Sequence, residues 1–371
     1  MQPTPVILDC DPGHDDAIAL LLALASPEVH LLGVVTSYGN QTLAKTTVNA
    51  LRLLQFAGRT DIPVAVGAAQ PLQRALAVAA HVHGESGLDG PALPPLATQP
   101  ASQDAVGFMA DLIHSAAQPV TLVPTGPLTN LARYLAAHGS AGIARVVLMG
   151  GSIAEGNMTP AAEFNIWCDP EAAAQVFASG LDITMIGLDV THKALLGPAV
   201  EAQLRSAGRV GTFVAELNVF FSVYHKQTYG WEGAPIHDAV AMAHVIRSGL
   251  VETRERNVEI ETVSELCRGR TVVDLWRRTD RAPNAHVGVD LDTRAFFELL
   301  VERITRLGLA HRLQAPWQGR RTAAHQRMNP ALHKRPRRRP QTGSSAQAVD
   351  MNCLRGAFTA LQSAPLKHKY I

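Results

Sequence analysis

Short runs of Val, Ile and Leu recur along most of this chain with helix-forming segments between them, and that alternation is what most constrains the fold. The runs at 5–9, 31–36, 63–66, 119–124, 145–149 and 183–188 show no polar alternation, as expected of strands covered on both faces. Helical segments are predicted between them, at 15–25, 42–57, 103–116, 128–138 and 170–179. A βαβα rhythm of this kind predicts an α/β fold, with an open, mostly parallel central sheet flanked by helices. Beyond about residue 190 the pattern turns helical, at 198–207, 210–226 and 238–247. A β-rich stretch follows at 256–275 and 285–289, then a last helix at 293–306, so a helical C-terminal part is expected. Residues 81–100 read as a long Gly/Pro loop, a lid or rim.

Composition narrows the class. With 371 residues, 47% of them hydrophobic, the chain can bury one large core or two. The longest clean apolar run, Ala17 to Ala25, spans nine residues. A membrane span needs roughly 20, so none is expected. No basic segment followed by an apolar one precedes the first strand, which argues against a secretory signal. Four widely spaced cysteines (Cys10, Cys168, Cys267, Cys353) without a CxxC pair predict a reduced, cytoplasmic protein with no zinc site of that type. The net charge of +1 hides a split: residues 316–371 hold 11 of the 33 Lys and Arg and one acid, Asp350, which leaves a body of net −9 and a tail of net +10. Two units are therefore expected, a catalytic domain over 1–313 and a basic, disordered extension over 314–371. A nucleic-acid-binding arm is the less favoured reading of that extension.

The chemistry concentrates where polar residues follow strands. Asp9-Cys10-Asp11-Pro12-Gly13-His14-Asp15-Asp16 puts four carboxylates in eight residues. Like charges this close repel, more so as water is excluded, and a hard cation with oxygen ligands offsets that repulsion. Strand alternation puts Asp9 and Asp11 on one side, and Asp15 and Asp16 open the next helix. Open α/β sheets bind ligands at such a place, outside the carboxyl ends of their strands. Helix capping accounts for Asp15 or Asp16 but not for Asp9 and Asp11.

Three other stretches carry candidates. His83 lies in a Gly- and acid-rich loop, where a lone His is ordinarily solvated. Met149-Gly150-Gly151-Ser152 leads to Asn157, Glu163 and Asn165, whose donors and acceptors suit a polyhydroxyl ligand, or simply form turns. Glu163 and Asn165 share a face if the segment is extended. His237-Asp238 opens an apolar helix, either as a cap or as a distant carboxylate beside a proton donor.

Taken together, these motifs resemble the inosine–uridine nucleoside hydrolase family. The likeness rests on the Asp9 to Asp16 segment, Gly39-Asn40-Gln41-Thr42, Val82-His83-Gly84-Glu85-Ser86-Gly87, Pro124-Thr125-Gly126-Pro127-Leu128-Thr129-Asn130, Ala162-Glu163-Phe164-Asn165 and His237-Asp238, in that order. It covers residues 5 to about 310 and is strongest toward the pyrimidine-specific bacterial ribonucleoside hydrolases, through Gly187-Leu188-Asp189-Val190-Thr191-His192-Lys193 and Gly233-Ala234-Pro235.

The resemblance implies a Rossmann-like fold and hydrolysis of the N-glycosidic bond of ribonucleosides. It implies Ca²⁺ held by Asp11, Asp16, Asp238 and the backbone carbonyl of Thr125, with the ribose 2′- and 3′-hydroxyls and a water completing the shell. Asp11 is implied as general base toward that water, with Asp9 supporting from behind. Asp15, Asn40, Met149, Asn157, Glu163 and Asn165 are implied on the ribose side. His83 or His237 would assist the leaving base, and His225, Tyr229 and Trp231 would line its pocket. Oxocarbenium character develops on the ribosyl group as the bond breaks. A homotetramer or dimer is implied. Alternatives are a purine-accepting or broad-specificity hydrolase and a nucleoside-binding protein without turnover. A haloacid-dehalogenase-type phosphatase also opens with DxD, but would leave the Asn and Glu set unused.

Overall fold

The computed structural model describes residues 2–314, and the basic extension expected over 314–371 lies outside the described residues except for Gln314. The strands are β1 Thr4–Cys10, β2 Val29–Thr36, β3 Val64–Val66, β4 Val120–Pro124, β5 Ile143–Met149, β6 Ile183–Ile186, β7 Leu195–Leu196, β8 Ala234–Pro235, β9 Val251–Arg256, β10 Val258–Ile260, β11 Thr271–Val273 and β12 Ala285–Leu291. The helices are α1 His14–Ala25, α2 Leu43–Phe56, α3 Ala80–His83, α4 Ala105–Ser115, α5 Thr129–His138, α6 Phe164–Cys168, α7 Pro170–Phe177, α8 Leu188–Thr191, α9 Pro198–Ser206, α10 Arg209–Tyr229, α11 His237–Ile246 and α12 Thr293–Gln314.

Eight strands form one sheet in the order β3-β2-β1-β4-β5-β6-β12-β9, parallel except for the β12–β9 pair. Val6, Ile7 and Leu8 are fully buried, which explains why β1 carries no polar alternation. One face packs against α1, α2, α10, α11 and α12, and the other against α4, α5 and α7. Helix α1 lies inside the first layer with only Leu24 incompletely buried, so it needs no polar face.

The strand order fixes the site. From β1 the chain moves outward to β2 and β3, then returns to β4 on the other side of β1. The loops after β1 and β4 therefore diverge and leave a crevice at the carboxyl edge. Asp11 and Thr125 each lie just past their strands at that edge.

The structure corrects several sequence expectations. Strand β6 ends at Ile186 rather than 188, because Gly187 starts the turn of α8. The last helix runs to Gln314 rather than 306. Gly308 lies inside that helix, where a Cβ would come 2.9 Å from the Ala207 carbonyl oxygen. The C-terminal part is not simply helical, since β12 and β9 complete the main sheet. Residues 81–100 are not all loop, because His83 ends the short helix α3. Among the described residues no helix is long and apolar enough to cross a membrane.

Candidate active site

The loop after β1 turns its carboxylates inward. Asp16 fixes the start of α1: its Oδ2 accepts the Gly13 N–H at 3.0 Å and the Asn40 side-chain amide at 2.8 Å, and its Oδ1 accepts the Thr125 hydroxyl at 2.7 Å. Asp11 accepts the Asn40 N–H through Oδ2 at 2.6 Å, while its buried Oδ1 has no hydrogen-bond partner. A Cβ on Gly39 would lie 2.0 Å from Asp11 Oδ2, and one on Gly126 2.5 Å from Oδ1, so both positions need glycine for the backbone to wrap this carboxylate. Asp9 lies behind, with Oδ1 accepting the Asn130 amide at 2.8 Å. Its buried Oδ2, like Oδ1 of Asp11, has no hydrogen-bond partner.

Asp238, at the start of α11, reaches the cluster from the opposite side. Carboxylate oxygens of Asp15, Asp16 and Asp238 lie within 4.8 Å of one another, and all three residues are buried. Burial, reinforced by the neighbouring Asp16, pushes the Asp15 carboxyl up to about 8. Asp11, Asp16 and Asp238 are raised too, burial being the largest cause for each. Among the described residues no lysine or arginine lines the pocket above them. These carboxylates are thus largely withdrawn from solvent and, among the described residues, have no cationic side chain in the pocket to offset their charge. An all-oxygen donor set with an unpartnered buried oxygen at Asp11 fits a hard metal ion.

Glu163, Asn165 and Asn157 converge differently from expectation. Glu163 and Asn165 do not share the face of an extended segment. Glu163 caps α6: its carboxylate accepts N–H groups from Asn165 at 2.8 Å, Ile166 at 3.0 Å and Gly151 at 2.9 Å. Asn165, inside that helix, donates to the Thr125 carbonyl at 2.8 Å and the Met149 carbonyl at 3.2 Å. Asn157 Oδ1 accepts the Phe164 N–H at 2.9 Å, which leaves its amide N–H groups to a ligand. Two loops and a helix end are thereby tied to the carbonyl after β4.

One pocket is lined by Asp15, Asn40, His83, Thr125, Met149, Asn157, Glu163, Asn165, His225, Tyr229, Trp231, His237 and Asp238. Asp11 and Asp16 do not line it and form the layer beneath. Opposite the acids stands an aromatic wall. Tyr229 and Trp231 stack at 4.5 Å between centroids, and His225 lies nearly parallel to Trp231 at 6.1 Å. The Thr191 hydroxyl lies 2.7 Å from His237 Nδ1. Burial lowers the affinity of His83, His225 and His237 for a proton, His225 down to about 4. His83 is not solvated as a lone loop histidine would be, since it is only 5% exposed.

The sequence reading missed His192, Phe221 and Tyr224, which also line the pocket. Phe221, Tyr224 and His225 have i, i+3, i+4 spacing on α10, and that signal was available once His225 was singled out. His192 packs edge-on against Trp231 at 5.0 Å, a contact nothing local foretells.

The sequence matches the family model described as inosine-uridine preferring nucleoside hydrolase over residues 6–298. It is 53% identical over 304 residues to a pyrimidine-specific ribonucleoside hydrolase, RihA, of Shewanella sp. (strain MR-4), covering 81% of this chain and 96% of that protein. The corresponding RihA of Salmonella typhimurium is 52% identical, with 81% and 98% covered. Among solved structures, a plant nucleoside hydrolase superposes with a TM-score of 0.76 at 33% identity, covering 82% of this chain and 99% of the other. A purine-preferring ribonucleoside hydrolase from Gardnerella vaginalis gives 0.77 at 32% identity, with the same coverage of 82% and 99%. The matched span takes in every residue from Asp11 to Asp238 that builds the pocket, and the chain belongs to the inosine-uridine preferring nucleoside hydrolases, enzymes that split ribonucleosides into ribose and free base.

Proposed function

We propose that this enzyme acts on pyrimidine ribonucleosides, uridine and cytidine, with a bound Ca²⁺. The observation that carries the metal half is the buried, unpartnered Oδ1 of Asp11 beside the Asp15, Asp16 and Asp238 carboxylates. Asp11, Asp16, Asp238 and the Thr125 carbonyl are the groups that would hold the ion. An ion held there would supply Lewis-acid activation of a water and a point of attachment for the ribose hydroxyls.

The remaining steps belong to the chain's own residues. Asp11 takes the proton of the attacking water as general base. Asp15, Asn40, Met149, Asn157, Glu163 and Asn165 hold the ribose, and the carboxylates stabilise the positive charge that develops at its anomeric carbon. His225, Tyr229 and Trp231 pack against the base. His237, with its Nδ1 satisfied by the Thr191 hydroxyl, offers Nε2–H to the leaving base. Water attacks directly, so the product forms with inversion and no covalent intermediate.

The pyrimidine preference is supported by the names of the relatives at 52–53% identity. A purine-accepting enzyme is the second reading, favoured by the purine-preferring structural neighbour at 32% identity. A kcat/KM panel of uridine, cytidine, inosine and adenosine tests it, with the pyrimidines expected ahead by at least about tenfold, and parity overturning the preference. We further propose a cytoplasmic homodimer or homotetramer. The free thiols Cys10, Cys168 and Cys267 support the compartment. Val219 and Val223, exposed one turn apart on α10, support the assembly.

A further inference from the structure

Asp169, between α6 and α7, takes no part in the steps assigned so far, yet it is fully buried. Its Oδ1 accepts the Ala172 N–H at 3.1 Å, which is the ordinary cap of α7. Capping leaves Oδ2 unexplained. That oxygen accepts the Leu72 N–H at 2.9 Å and the Thr129 hydroxyl at 2.7 Å. The Thr129 oxygen in turn lies 3.0 Å from the Tyr38 hydroxyl. A hydroxyl has one hydrogen, and that of Thr129 goes to the carboxylate. The Tyr38 O–H is therefore the donor to Thr129, and the chain runs one way, from Tyr38 through Thr129 to Asp169. Tyr38 and Thr129 are fully buried as well, where such linked bonds reinforce one another.

Each link of this chain stands beside a group of the site. Tyr38 leads into Gly39-Asn40, and Asn40 donates its backbone N–H to Asp11 and its side-chain amide to Asp16. Thr129 opens α5, just past Thr125 in the loop after β4. Asp169 ends α6, one turn past Asn165, whose amide donates to the Thr125 carbonyl. The Tyr38 ring also packs with Cys168 in a small cluster that Phe164 and Trp167 join. Strand β1 lies between β2 and β4, so no direct ladder sets the loops after those two strands against each other. The hydroxyl chain does.

We propose that Asp169 is a positioning residue for nucleoside hydrolysis: through the Thr129 and Tyr38 hydroxyls it fixes Asn40, which holds the carboxylate cradle, against Asn165 on the ribose side. This rests on the metal and ribose roles proposed above. Breaking the chain frees the Tyr38 to Asn40 loop from α6, and groups that orient ligating carboxylates act on metal affinity. The same looseness parts Asn40 from Asn165, so ribose is held less well.

Calorimetric titration of the metal-stripped, full-length enzyme with Ca²⁺ reads the cradle without substrate. KM and kcat for uridine at saturating Ca²⁺ read the ribose side. Thr129→Val keeps the side-chain shape and removes both links. It is expected to raise the Kd for Ca²⁺ and the KM about tenfold each, with kcat within about threefold. Thr129→Ser restores the hydroxyl and should bring both back to within about twofold of wild type. Tyr38→Phe loses only the phenol O–H and keeps its ring in the cluster, so about threefold is expected in both. Added to Thr129→Val it should cost nothing more, because the link is already gone. Variants that lose stability in urea while Kd and KM keep their wild-type values overturn the proposal, and so do additive losses in the double variant. If Thr129→Val does not fold, Tyr38→Phe decides by the same two readings, unchanged values again overturning it. A wild-type enzyme that binds no Ca²⁺, or that prefers inosine, overturns the functional reading instead. KM on the nucleoside it does turn over then decides the proposal, so the two failures are distinguishable.

Discussion

The acidic motif divides its work residue by residue. Asp16 accepts three hydrogen bonds and shapes the loop, while Asp9 and Asp11 each accept one bond from an asparagine and keep one buried oxygen free. Burial holds the Asp9 carboxyl up at about 7, against the lowering effect of Asn130, and Asp15 at about 8. A carboxyl raised in the folded state contributes stability that is complete below its unfolded value, about 4, and lost as pH rises through the folded value. His14 and His225, pushed down by burial to about 4, act in the opposite sense. Their contribution changes below pH ~6.5 and is nearly constant above it. Metal-stripped enzyme is therefore expected to lose thermal stability between pH ~7 and ~9, and Ca²⁺ to restore it at the upper end. Scanning calorimetry across that window checks this; a flat profile without metal would contradict the desolvated cluster. The cluster itself was legible in the sequence because four acids in eight residues repel one another unless a cation sits among them. The burial of His83 was not, because it depends on packing against His14 and Phe221, which lie far from it along the chain.

At the scale of elements, the long strands and helices were readable and the short ones were not. Helix α1 and strand β1 fall within a residue of their expected limits, since each is long enough to show a period or a continuous apolar run. Helices α3 and α6, of four and five residues, have too few turns to show any period. Yet α6 and its cap are what place Glu163 and Asn165 in the pocket. Its cap, Glu163, is only 2% exposed and satisfies three backbone N–H groups. Glu163→Ala would strand those donors in the interior and release Asn165 from the Thr125 carbonyl. The expected cost is about 1–3 kcal/mol in urea unfolding, with a higher KM for uridine. Glu163→Gln keeps acceptor capacity and should recover much of the stability. A Glu163→Ala variant as stable as the parent would show that the cap is not needed.

For the whole molecule, the strand order leaves a crevice between the loops after β1 and β4, and Asp238 at the start of α11 joins the carboxylates there from far along the sequence. The βαβα rhythm made the parallel sheet legible. Nothing in it indicated that β12 would pair with β6 or that β9 would close the edge antiparallel, because such pairings depend on tertiary packing. The residues that line the pocket run from Asp15 to Asp238, ahead of the basic extension. We therefore expect a chain ended after Ala315 to keep its kcat/KM within about twofold and its Tm within about 2 °C. Loss of activity or of assembly on truncation would give the extension a role in the folded enzyme.

The central claim is that the carboxylate cradle, through its metal, holds the ribose diol while the bond to the base breaks. It is tested most directly by kcat/KM for uridine against 2′-deoxyuridine in the presence of Ca²⁺. Removing a hydroxyl from a site built to hold it should cost at least about a hundredfold. Equal rates on the two substrates would contradict the account.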